Sequence, residues 1–265
     1  MDQPTFAAAL GQPWWWVLLA VLAGAALGLF SAWATVAIEA WQKLAETEVE
    51  ERAEYDQENQ AAVAKAEAAG KRPPKFPPWP SESYGWTWKE RYLLPIMTGL
   101  LFGLFVWHQG ANRLSLIHLF WVVVLVHIVS FDLKHHLVLN VITFPGIVLA
   151  LALAAVTPGL TVLSALAGGA IDGVLFLMLY WLGFIMFRHG LGFGDVKLAA
   201  LLGAICAFDI NQFQFGAMYA LVYGVFLGAA GAVLLVITRL RSLRDGVAYA
   251  PYLCAGALIV LYQFI

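Results

Sequence analysis

The stretch LTVLSALAGGAIDGVLFLMLYWLGFIMF, from Leu160 to Phe187, carries one charged residue, Asp172, in 28 positions. A helix built on it is apolar on every side and longer than the roughly 20 residues that cross a bilayer. Seven further apolar runs lie around it: Trp14–Ile38, Tyr92–Trp107, Leu114–Phe131, Leu137–Val156, Val196–Phe208, Phe213–Thr238 and Val247–Phe264. The run at Val196 is the shortest, because the polar residues Asp209 to Gln212 end it. Hydrophobic residues make up 62% of the chain and charged residues 12%, about half the charged share of a soluble domain. The expected fold is therefore all-α, a polytopic membrane helix bundle of about eight transmembrane helices.

Lys and Arg are distributed unevenly along this pattern. With eight spans, one set of alternate connections holds fourteen of the 15 Lys and Arg residues, and the other holds only Arg113. Cytoplasmic connections collect positive charge. The rich set is therefore expected in the cytoplasm, with both termini outside. The first run follows an acidic start, Met1-Asp2-Gln3, and is too long for the core of a cleaved signal peptide, so a retained span is expected.

The sequence divides into a first span over residues 1–38, a polar segment over 39–91 and a membrane core over 92–265. Ala40 to Gly70 is rich in Ala, Glu, Gln and Lys, which favour helix without offering a large apolar face. Residues 71–80, KRPPKFPPWP, cannot be helical, since each proline removes a donor and restrains its predecessor. An extended arm is expected there, with Trp79, Trp86 and Trp88 as interfacial anchors. A net charge of -2 gives no electrostatic case for nucleic acid. Cys206 and Cys254 stand far apart inside apolar runs and read as small hydrophobes.

Carboxylates at membrane depth are costly and therefore informative. Asp132 closes the third span, in SFDLKHH from Ser130 to His136, and Asp195 opens the sixth, in GLGFGDVK from Gly190 to Lys197. Three glycines within five residues leave the backbone before Asp195 bare, so another element can approach closely. By the charge pattern both aspartates belong to the cytoplasmic face. Two carboxyl groups held together share a proton; one activates water while the other polarises a carbonyl, which is the chemistry of an aspartic peptidase. Asp172 lies about three turns into its span and is read as a structural or water-facing residue. Asp132 and Asp195 are the candidate catalytic residues, with Gly192, Gly194, Lys197 and Lys134 as substrate-loop or supporting residues.

On these residues the chain resembles the bacterial type IV prepilin peptidases, within the wider Gly-x-Gly-Asp class of membrane aspartic peptidases. The likeness is carried by Gly192-Phe193-Gly194-Asp195-Val196-Lys197-Leu198 with Ala199 to Gly203, by Asp132-Leu133 with Asn140, Thr143 and Pro145, and by Ala250-Pro251-Tyr252-Leu253 with Gly256. It extends from about Trp121 to the C-terminus. The resemblance implies that Asp132 and Asp195 are catalytic, and that the substrates are pilin-like precursors cut at the inner face of the bacterial cytoplasmic membrane, between a short basic leader and a hydrophobic helix. Two departures stand out. The family usually has proline where this chain has Leu139, and many members bind zinc through paired Cys-x-x-Cys motifs in the first cytoplasmic segment. Glu39 to Arg91 contains no cysteine, so zinc there is excluded and methyl transfer to the new N-terminus is not implied.

Competing readings are a presenilin-like or signal-peptide-peptidase-like intramembrane protease and a proton-coupled transporter. The first shares the Gly-x-Gly-Asp element; the second requires midplane carboxylates and related halves, and no repeat is visible. The expectation is a peptidase without metal or cofactor. Cleavage of a leader-bearing peptide should then continue in the presence of a strong chelator, as followed by mass spectrometry of the products.

Overall fold

Inside a bilayer there is no water to bond the main chain, so each apolar run must satisfy its own N–H and C=O groups as a helix. The computed structural model describes residues 14–42, 44–68, 72, 85, 87–187, 192–209, 215–238 and 249–263. Among them the helices are α1 (Trp14–Trp41), α2 (Leu44–Ala68), α3 (Leu94–Gln109), α4 (Arg113–His135), α5 (Asn140–Ala154), α6 (Val162–Phe187), α7 (Phe193–Cys206), α8 (Gly216–Ile237) and α9 (Ala250–Gln263). No β-strand occurs among the described residues. A π-helical turn, Lys89–Leu93, leads into α3. Residues 73–80 of the proline arm, with Trp79 and Trp86, lie outside the described residues, as do Arg188, Gly190, Leu191 and residues 239–248.

All eight apolar runs contain a helix, and five helices are long and apolar enough to cross a membrane: α1, α3 with its π turn, α4, α6 and α8. Helices α5 and α9 are apolar but shorter. The 14 residues of α7 cover about 21 Å, less than the roughly 30 Å of hydrocarbon in a bilayer. The sequence placed the start of this helix at Val196; it starts at Phe193, so Asp195 stands inside the first turn. Helix α2 is polar and leaves the end of α1 after a turn at Gln42.

The outside of the bundle is apolar. Phe30, Leu100, Phe144, Ile185, Phe226 and Ile237 are all exposed, an unpaired hydrophobic surface that suits lipid rather than water. Inside, the largest interfaces join α1 to α3, α6 to α7 and α8 to α9, and small residues let the helices approach. A Cβ on Gly168 of α6 would stand 2.2 Å from the Gly203 carbonyl of α7, and one on Gly203 would stand 2.3 Å from the Gly168 carbonyl. Lipid gives no hydrophobic drive between helices, so such close packing is what holds them together. Gly203→Val should accordingly destabilise the protein by about 1–3 kcal/mol or more, read as a lower unfolding temperature in detergent. Gly146→Ala, whose Cβ would meet only the flexible end of Leu201, should cost less.

Candidate active site

Helix α4 is fixed at both ends. Asn112 caps its start, with its side chain accepting from the Ser115 N–H at 2.9 Å while Ser115 Oγ accepts from the Asn112 N–H at 3.0 Å. At the other end His136 turns left-handed, with φ 50°, and donates its N–H to the Asp132 carbonyl at 2.8 Å. Asp132 therefore occupies the last turn of a well-terminated helix, 4% exposed. Its carboxyl accepts the backbone N–H of Ala250, the first residue of α9. Its other oxygen, Oδ2, has no hydrogen-bond partner among the described residues.

The chain then passes to α5 through Leu139, whose φ of -71° is the value that a proline ring would impose. The leucine at this position thus holds a backbone angle that a proline would also hold. The linker bears on the second aspartate as well. Gly194 lies against Val138, where a Cβ would meet the Val138 Cβ at 3.1 Å. Asp195 is half-buried in the first turn of α7 and reaches back to the N–H of Gly192, which precedes the helix. The two carboxyl groups stand within electrostatic range of each other, and Cys254 of α9 lies within range of both. Asp132, Asp195 and the start of α9 thus form one cluster.

The remaining candidates have different partners. Lys197 donates to Asn140 Oδ1 at the start of α5 and stands over the rings of Phe144 and Phe193, 5.7 and 5.2 Å from their centroids. It braces α7 against α5. Lys134 is buried in a charge network, 2.5 Å from Glu39 Oε1 and 2.9 Å from Glu90 Oε1, and it donates to the Gly85 carbonyl at 2.8 Å. His135 adds a 2.9 Å contact to the same Glu39 oxygen. His135 is buried against Glu39 of α1, whereas the next residue, His136, is exposed. Asp172 packs beside Gly203, eight residues along α7 from Asp195 and so about 12 Å away along the axis.

Sequence reasoning passed over Glu39, Glu90 and the α9 amide. Glu90 had a readable signal, since Thr87-Trp88-Lys89-Glu90 is a capping box. Its Oε2 accepts both the Thr87 N–H and the Thr87 hydroxyl at 2.9 Å.

The profile of the type IV leader peptidase family matches residues 117–237. Two curated relatives called prepilin leader peptidase/N-methyltransferase are similar to this chain. The Pseudomonas putida protein is 28% identical over 64% of this chain and 58% of its own length, and the Pseudomonas aeruginosa protein is 31% identical over 65% and 58%. The chain thus spans less than two thirds of these proteins. Leader peptidase HopD of Escherichia coli is 32% identical over 49% of this chain and 81% of its own length. No solved structure matches the chain.

The contact between Gly194 and Val138 can be tested directly. A Val138→Cys/Gly194→Cys variant should form a disulfide under mild oxidation, because its Cβ positions, 3.1 Å apart, need to separate by less than about 1 Å to reach the roughly 3.8 Å that the bond prefers. A Val138→Cys/Gly192→Cys variant should not. Mass spectrometry of the linked peptides checks both.

Proposed function

Because the chain belongs to the type IV leader peptidase family, we propose that it is a membrane aspartic endopeptidase that removes the short basic leader from pilin-like precursors. The observation that carries the reading is a pair of carboxyl groups from different helices within electrostatic range of each other near the start of α9, one of them with a buried oxygen that has no partner among the described residues. A buried acceptor left unpaired is costly, and an active site is where such a cost is repaid.

In the proposed mechanism the pair holds one proton, since two close carboxyl groups resist double ionisation. The ionised member takes a proton from water, the hydroxide forms a bond to the scissile carbonyl carbon, and the protonated member donates to its oxygen. Return of a proton to the leaving nitrogen breaks the C–N bond. The Ala250 N–H and the α9 dipole support negative charge on Asp132, and the Gly192 N–H supports it on Asp195.

We assign eight membrane-embedded helices, both termini outside, and the site to the cytoplasmic face of the bacterial inner membrane. The uneven Lys and Arg pattern supports this orientation. The contacts that bring the end of α1, the π turn and the ends or starts of α4, α5, α7 and α9 to one face agree with the alternation of spans that this count requires. The substrate's hydrophobic helix would lie in the bilayer with its leader junction at that face. Methyl transfer is not part of the proposal: Glu39 to Arg91 lacks cysteine, and the Escherichia coli relative is named only for leader cleavage.

Asp132→Asn and Asp195→Asn should each lower the cleavage rate by about 10²–10⁴-fold, the range of general acid–base catalysis, with the protein still folded. The double variant should be little worse, because residues acting as a unit are not additive. Purified enzyme and a leader-bearing precursor, followed by mass spectrometry, give the rate, the cut site and the mass of the new N-terminus together. Either single variant cleaving at the wild-type rate would overturn the dyad.

A further inference from the structure

We propose that Glu39 is a positioning residue for Asp132, acting through the buried charge network that joins α1, the π turn before α3 and the last turn of α4; the inference rests on the peptidase reading above. Glu39 sits near the end of α1, 5% exposed. Its Oε1 takes Lys134 Nζ at 2.5 Å and His135 Nε2 at 2.9 Å, and its Oε2 takes the Gly85 N–H at 2.8 Å. Lys134 and His135 come two and three residues after Asp132. One carboxylate therefore grips the same helical turn that presents the candidate catalytic group.

Lys134 extends the grip to Glu90, which is itself fixed by Thr87. The last turn of α4 is thus bonded to two other segments, and a rotation of that turn would break ion pairs on both. Eight residues before His135 on the same face, His127 Nδ1 meets Ser31 Oγ of α1 at 2.8 Å with Phe131 between, so α1 lines this side of α4 over two turns.

Stability alone does not account for this arrangement. Burying charges costs about as much as their attraction returns, and apolar replacements of a whole buried pair are often neutral. The docking of α1 is also secured elsewhere, by its extensive contact with α3, where a Cβ on Gly28 would stand 2.7 Å from the Pro95 Cα. Fixed geometry at Asp132 is what the network adds, and misplacing a reacting group by about 1 Å can cost about 100-fold in rate.

The test compares kcat and KM on a leader-bearing peptide for wild type, Glu39→Gln, Lys134→Met, Lys134→Arg and Glu39→Gln/Lys134→Met, each normalised to folded protein. Glu39→Gln should lower kcat by about tenfold or more while KM stays within about twofold, the pattern of a group that acts only on the chemical step. Lys134→Arg should keep more activity than Lys134→Met. The double variant removes the two opposite charges together, so its unfolding temperature should recover above that of Lys134→Met while kcat stays low. An unchanged kcat in Glu39→Gln overturns the inference, and so does a double variant in which kcat recovers along with stability. Both results leave the peptidase reading intact if wild type cleaves. A wild type that cuts no leader-bearing peptide overturns that reading, and the inference with it.

Discussion

The bond from the Ala250 N–H to the carboxyl of Asp132 is the contact on which the rest of the site depends. A carboxylate at the C-terminal end of a helix faces the wrong end of that helix's dipole. Burial at 4% exposure removes most of the water that would compensate. The start of α9 supplies the opposite dipole and a free backbone donor, and Pro251, the next residue, fits a first helical turn because its missing N–H would have had no partner there. The last helix of the chain thus makes the third-span aspartate tolerable, and glycine holds that helix in place. A Cβ on Gly256 would stand 2.2 Å from the Ala220 carbonyl of α8.

Elsewhere on this face the charges are arranged by the same cost. Lys134, Glu39 and Glu90 have side-chain exposures of 7%, 5% and 4%, values at which an unpaired ion would be prohibitive. Each is satisfied by groups from another segment: the end of α1, the turn before α3 and the end of α4. Lys134 is the shared partner, so removing it takes the cation from both carboxylates at once. Lys197 follows a cheaper rule at the exposed edge of the site, where Asn140 and two aromatic faces hold it.

The family match covers residues 117–237 and so includes both aspartates. Glu39, Glu90 and Ala250 lie outside it. The parts that carry the proposed chemistry fall within the matched region, whereas the parts that hold Asp132 in position come from before and after it. Gly194 explains how the two aspartate-bearing elements meet: a side chain there would press on Val138, in the linker that directly follows the helix of Asp132.

The sequence by itself determined the helices, because an apolar run at membrane depth has no other way to bond its backbone, and it singled out the two aspartates as candidates, because a carboxylate there is costly. It could not fix the start of α7, since Gly192 and Gly194 carry no apolar signal even where they lie at and inside a helix. It also could not pair Glu39 with Lys134 and His135, ninety-five and ninety-six residues away, or aim the start of α9 at Asp132. Those pairings depend on which helix faces touch, and touching is decided by small residues and backbone approach between distant segments. Local periodicity does not encode that information; only the assembled bundle does.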